Sequence, residues 1–281
     1  MGEEQDADGS IVPDILSHYA EGVERDRLFQ GRSQLERVRT QELLVRHLPP
    51  PPAIVLDVGG GPGVYAHWLT AQGYEVHLVD PVPLHVEQAA ATGSAAGAHP
   101  LASAHVGDAR SLERPATSVD AVLLMGPLYH LTARDDRLQA LREARRVVRP
   151  GGWLCAVGIS RFTSLLDGIA SGYLADPTFA RIVEQDLRDG QHRNPDHHPG
   201  YFTTAFFHHP DALPAEVREA GWAIVETVGI EGPGWWLPKE FADWWDDADR
   251  RERLLAAVRT VEREPALLGL GPHLMVVARN T

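Results

Sequence analysis

The stretch IVLDVGGGPGVYAHWL, residues 54 to 69, constrains the fold more than any other part of the chain. Apolar residues run into Asp57, then Gly59, Gly60, Gly61 and Gly63 follow, and a helical pattern begins at once. A strand that passes directly into a helix belongs to a crossover unit, so the next strand it pairs with runs parallel to it. A turn with so few side chains lets a ligand lie against bare backbone. The N-terminus of the following helix adds unpaired N–H groups there.

The rest of the chain keeps this rhythm. YEVHLVD, SAHVGD, DAVLLM and GWLCAVGIS read as further strands, with LHVEQAAAT and RLQALREARRVV as helices between them. The alternation predicts an α/β fold, a doubly wound and mostly parallel sheet covered on both faces. WAIVETVGIEG and HLMVVARN supply the last strands as a hairpin-like pair. Residues 1–13 read as a disordered tail and 14–52 as an N-terminal helical lid. Residues 53–281 form the main domain, with a cap inserted at about 161–210, where the rhythm breaks and Tyr, Phe and His concentrate. Ser33 and Glu36 have the spacing of a capping box ahead of LERVRTQELLVRHL, and the prolines at 49–52 end that helix.

Charge and composition exclude several classes. Lys plus Arg number 26 against 39 Asp plus Glu, a net charge of −13, which repels a polyanion, so no nucleic acid is expected as a partner. No run of 18 apolar residues exists, so no membrane span is expected. The polar, acidic start is no secretory signal, and the single Cys155 rules out internal disulfides and thiolate metal clusters. Both features suit the cytoplasm; a homodimer is left open.

The glycine spacing narrows the ligand. A dinucleotide fingerprint is G-x-G-x-x-G, whereas here Gly59, Gly61 and Gly63 alternate and Asp57 stands just before them. A carboxylate there opposes a pyrophosphate and suits an ammonium or sulfonium. Asp80 ends the second strand 21 residues after Gly59, where it can accept ribose hydroxyls, and Asp108 ends the third, within reach of an adenine amino group.

Together LDVGGGPG, VHLVDPVP, GDARSL, VDAVLLMGPLYHL and EARRVVRPGGWL resemble the class I S-adenosylmethionine-dependent methyltransferases, over residues 54 to about 160. The resemblance implies a Rossmann-like seven-stranded sheet with its last strand antiparallel, S-adenosylmethionine as cofactor, and methyl transfer. It implies a cofactor site of Asp57, Gly59, Gly60, Gly61, Gly63, Asp80, Pro81, Asp108, Ala109, Met125 and Gly126. Tyr19, with Arg27 and Arg39, resembles the lid that folds over the cofactor in some members.

Methyl transfer to a hydroxyl or acidic C–H also requires proton removal. The turn after the fourth strand, MGPLYHL, brings Tyr129 and His130, and His130 reads either as general base or as a positioning residue. No NPPY-type sequence follows that strand, and GPLYHL is closer to the family's small-molecule members. The expected substrate is a small, partly apolar molecule, methylated on O, N or C. Tyr201, Phe202, Phe206 and His208 of the insertion, with Trp235 and Trp236, are expected at its pocket. The insertion carries five of the 14 histidines without a His-x₃-His spacing beside a carboxylate, so no metal is expected. Composition rich in Ala, Arg and Pro suggests a bacterial enzyme of specialised metabolism. Two rivals remain, a nicotinamide-dependent oxidoreductase and a non-catalytic S-adenosylmethionine-binding regulatory protein.

Overall fold

In this computed structural model of the chain, the residues described are 15, 19, 24–93, 99–198, 200–236 and 241–281. The expected tail at 1–13 lies outside them. The sheet consists of β1 (Ile54–Val58), β2 (Glu75–Asp80), β3 (Ser103–Val106), β4 (Val119–Leu124), β5 (Val148–Ser160), β6 (Gln191–His192), β7 (Ala205–His208), β8 (Ala223–Gly229) and β9 (His273–Arg279). The helices are α1 (Glu24–Arg27), α2 (Ser33–His47), α3 (Val64–Ala71), α4 (Pro83–Gly93), α5 (Pro127–His130), α6 (Arg134–Val147), α7 (Thr163–Ser171), α8 (Pro177–Asp189), α9 (Ala212–Glu219), α10 (Phe241–Asp246) and α11 (Ala248–Val261).

Strands β3, β2, β1, β4 and β5 lie side by side and parallel, because each is followed by a crossover. Beyond β5 comes β9, antiparallel to it from Trp153↔Arg279 to Ile159↔His273, and then β8, antiparallel to β9. This is the mostly parallel sheet with a reversed last strand that the resemblance implies. The reversal has a local effect. It puts His273, the first residue of β9, beside the carboxyl ends of the parallel strands.

Alternate residues of each strand enter opposite cores, as expected where both faces are covered. Leu56, Val58, Val122, Leu124, Leu154 and Val276 face one core, shared with Leu141 of α6 and Leu213 and Val217 of α9. Val55, Ala121, Leu123, Cys155 and Val277 face the other, shared with Leu69 of α3, Ala89 of α4 and Leu43 and Leu44 of α2. The carboxyl half of α2 is therefore a layer of the main domain, and a division at residue 52 cuts through a packed core. The capping box is not formed. Ser33 is the first helical residue, no side chain caps the helix, and Glu36 instead takes the Arg27 guanidinium at 2.6 and 3.0 Å.

Between residues 161 and 210 the chain builds α7, α8 and the β6/β7 hairpin, and β7 extends the sheet beside the end of β5. This segment has a small core of its own, Phe179, Ile182, Val183 and Tyr201. Among the described residues no helix is long and apolar enough to cross a membrane.

Candidate functional site

A cavity of about 1020 Å³ opens at the carboxyl ends of β1, β2 and β4. The glycine turn after β1 forms its floor. Gly59 and Gly61 take positive φ, 69° and 56°, a region that glycine enters without strain. A Cβ on Gly59 would stand 2.6 Å from the Pro127 ring, and one on Gly126 would stand 2.8 Å from the Gly59 carbonyl, so the turns after β1 and β4 touch backbone to backbone. A Cβ on Gly61 would meet only His85 Nδ1, at 4.0 Å, because that position faces the open cavity. Gly63 is turned away from the cavity and packs against His67 and Ala89.

The three strand-end acids are all in the wall, in different states. Asp57 is 1% exposed, and its Oδ2 has no hydrogen-bond partner. Burial, and then the charge of Asp80, push this carboxyl up to about 7. Asp80 accepts bonds from the Gly61 N–H at 2.8 Å and the Val82 N–H at 2.9 Å, and lies 3.0 Å from His85 Nδ1. A carboxylate has about four acceptor sites, so about one remains for a ligand. Asp108 is held by the Arg110 guanidinium, which outweighs burial and keeps the carboxyl below its usual range.

Gly60, Pro81, Ala109, Met125 and Gly126 also line the cavity. Above it, Tyr19 is 8% exposed and its hydroxyl lies 2.8 Å from His130 Nε2. Tyr129 and His130 are in the wall, their rings 4.7 Å apart. Arg27 lines the cavity as well, whereas Arg39 is fully buried elsewhere, tying α2 to Glu262 and to the Ile230 carbonyl.

The six residues expected at the substrate pocket are not among those lining it. Phe202 comes nearest, its ring 6.1 Å from that of His130. Tyr201 belongs to the core of the insertion, where its hydroxyl donates to Asp176 at 2.6 Å. Phe206 lies under the Arg137 guanidinium, 3.6 Å away, and His208 is fully buried against Glu216. Trp235 sits beneath Arg32, and Trp236 donates its indole N–H to the Leu270 carbonyl. Aromatic residues were expected at a pocket because they are large and apolar; here Tyr201 packs in a supporting core and the others are engaged outside the cavity lining.

Instead the wall beyond the glycine turn is polar, and sequence reasoning missed most of it: Glu24, Glu36, Thr40, Tyr65 and His273. Glu36, His273 and the fully buried Glu231 bring their ligating atoms within 4.8 Å of one another. Glu36 is taken by Arg27, and Glu231 by His273 Nδ1 at 2.6 Å. Burial draws the His273 imidazole toward neutrality, yet Glu231 and Glu36 outweigh it and hold its pKa above the ordinary value. The only sequence signal was a histidine opening the otherwise apolar strand LMVVA, meaningful once that strand is known to be reversed.

Residues 55–152 match a family profile described as a methyltransferase domain. An uncharacterised methyltransferase of Mycobacterium tuberculosis is 35% identical over 114 residues, which is 41% of this chain and 43% of the relative. A malonyl-(acyl-carrier protein) O-methyltransferase of Methylococcus capsulatus is 31% identical over 173 residues, 57% of this chain and 60% of the relative. The chain thus spans about half the length of the curated relatives it matches. A solved S-adenosylmethionine-dependent methyltransferase from Methanosarcina mazei aligns over 84% of this chain and 96% of its own, with a TM-score of 0.58 at 17% identity, a likeness of fold.

Proposed function

We propose, from a chain whose residues 55–152 form a class I S-adenosylmethionine-dependent methyltransferase domain, that it transfers the methyl group of that cofactor to a small molecule held in the same cavity. The observation that carries this reading is Asp57, a buried carboxylate with an orphaned oxygen beside a glycine turn that opens into the cavity. Such a group fits a ligand with an ammonium and opposes a pyrophosphate.

When bound, the cofactor supplies a methyl group on a sulfonium, an electrophile needing no further activation. The chain's own residues orient and protect. Asp57 takes the ammonium, the bare Gly61 leaves room, and Asp80 braces the Gly61 N–H while keeping an acceptor for a ribose hydroxyl. Ile15 and Tyr19, 2% and 8% exposed, cover the cavity and exclude water. Where the acceptor must lose a proton, the Tyr19 hydroxyl takes it while passing its own to His130 Nε2, so that His130 stores the charge. The cavity volume suits a small-molecule acceptor. The bacterial relatives agree with the composition, and a role in bacterial specialised metabolism is part of the proposal.

Calorimetry with S-adenosylmethionine, S-adenosylhomocysteine and NAD tests the reading. The first two are expected to bind and NAD not to. Binding of NAD alone would favour an oxidoreductase. Binding of the sulfonium without any methyl transfer across an acceptor panel would favour a regulatory protein.

A further inference from the structure

Five ionisable side chains form a file of alternating charge, four of them in the cavity wall and Glu231 fully buried next to His273. Arg27 donates its Nε–H to Glu24 at 2.7 Å and its two terminal nitrogens to Glu36 at 2.6 and 3.0 Å. His273, beside Glu36, bonds Glu231 through Nδ1. The members come from α1, α2, the turn after β8 and the head of β9, so the file exists only in the folded chain. Carboxylates close it at both ends, which leaves a negative surplus even when His273 holds its proton. The cavity lining repeats the imbalance, with seven Asp and Glu against three Arg. An uncompensated buried charge is costly unless a cation answers it.

A second observation points the same way. The Tyr65 hydroxyl, in the same wall beside Thr40 and close enough to Glu36 to feel its charge, is buried with no hydrogen bond of normal length. Buried hydroxyls are normally satisfied, so a polar ligand atom is expected beside it.

We propose that Glu24, Glu36 and Tyr65 form the recognition subsite for a protonated amine carried by the methyl acceptor, an inference that rests on the methyltransferase reading above. An ammonium has three N–H donors and no acceptor, which matches two carboxylates and a hydroxyl oxygen. Ile15, Leu28 and Leu131 in the same cavity accommodate an apolar body behind the amine. A carboxylate in that place would meet like charge.

The test uses protein saturated with S-adenosylhomocysteine and probes that share one body but differ in the head group. These are tyramine, 4-hydroxyphenylethanol and 4-hydroxyphenylpropionate, with tryptamine and indolepropionate as a second set, followed by ligand-observed NMR. At least one amine is expected to bind about tenfold more tightly than its neutral or acidic counterpart. Glu36→Gln should erase that preference while S-adenosylhomocysteine affinity stays near the parental value; Glu24→Gln serves the same end if Glu36→Gln does not fold. Equal binding, preference for the acid, or no binding of any probe overturns the subsite. So does stoichiometric Mn²⁺ binding that Glu231→Gln abolishes, since the carboxylates would then serve a metal. Failure of the parent to take S-adenosylhomocysteine overturns the methyltransferase reading itself.

Discussion

Tyr19 and His130, 111 positions apart in sequence, share a hydrogen bond of 2.8 Å between hydroxyl and Nε2 over the cavity, with their rings edge to face. The hydroxyl thus engages one of the two ring nitrogens of His130. Burial first, and then the nearby Tyr129, keep the Tyr19 pKa well above its ordinary value, so it holds its proton at any working pH. In the proposed reaction a proton leaving the acceptor reaches His130 through Tyr19.

His130→Ala is therefore expected to lower kcat by about 10²–10⁴-fold, with cofactor affinity nearly unchanged. Tyr19→Phe keeps the ring and removes only the relay, so kcat should fall while binding persists. The double variant should be no slower than His130→Ala. Multiplicative losses, measured at saturating substrate, would show that the two residues act independently.

Asp57 gives the cofactor site a pH dependence. Its native carboxyl titrates at about 7, against about 3.9 in an unfolded chain. Affinity for S-adenosylhomocysteine should rise as pH climbs through about 7, when the carboxylate that meets the ammonium forms. Stability of the ligand-free protein runs the other way. The protonated form's contribution is fully present below about pH 4 and is lost as pH rises to about 7. Asp57→Asn should flatten both profiles; calorimetric titration and thermal melts across pH 5–8 would measure them.

Asp80→Ala removes the carboxylate proposed to accept a ribose hydroxyl and also the brace on the Gly61 N–H. A loss of about 1–3 kcal/mol in S-adenosylhomocysteine affinity is expected with the fold intact. Unchanged affinity by calorimetry would remove Asp80 from the site.

Gly61 and Gly63 should separate cleanly. Gly61→Val places its side chain in the cavity and should abolish cofactor binding. Gly63→Ala, at φ 85° with a contact of 3.1 Å to His67, should lower Tm while the remaining folded protein still binds. Binding by Gly61→Val, with the melt unchanged, would show the turn to be a packing device.

Arg137 and Glu216 form a buried pair, 2% and 4% exposed, that holds α6 to α9 and supports Phe206 and His208. Arg137→Met should destabilise the fold by about 3–5 kcal/mol, because it leaves the Glu216 charge buried with only His208 and the more distant Arg134, at 4.0 Å, beside it. Denaturant titration reads the loss, and KM of the surviving folded enzyme should not move.

The sequence made the mostly parallel sheet and the glycine turn legible because both depend on local pattern. Alternating strands and helices dictate the sheet, and one glycine turn with acids at three strand ends marks a ligand's path. The polar wall beyond that turn was not legible. Arg27 read as part of a lid, Glu36 as half of a capping box and Glu24 drew no reading, and only tertiary packing carries all three to the cavity wall. His273 became part of the wall because β9 is reversed, a property of the whole sheet. Trp235, Trp236, Tyr201 and Phe206 looked like pocket residues, yet a large aromatic side chain serves as well in a small core, as Tyr201 does, or against an arginine, as Trp235 and Phe206 do.

The place of β9 also bears on how the chain comes into being. During synthesis β5 and β8 are both made before β9, yet β9 lies between them and pairs with each. A nascent chain complete through β8 therefore leaves an edge of β5 bare, and leaves β8, whose one pairing is with β9, with both edges bare. Such edges invite pairing with a neighbouring chain, and the fold is sealed only when one late strand slides in. The same strand delivers His273, so closure of the sheet and completion of the cavity wall are one event.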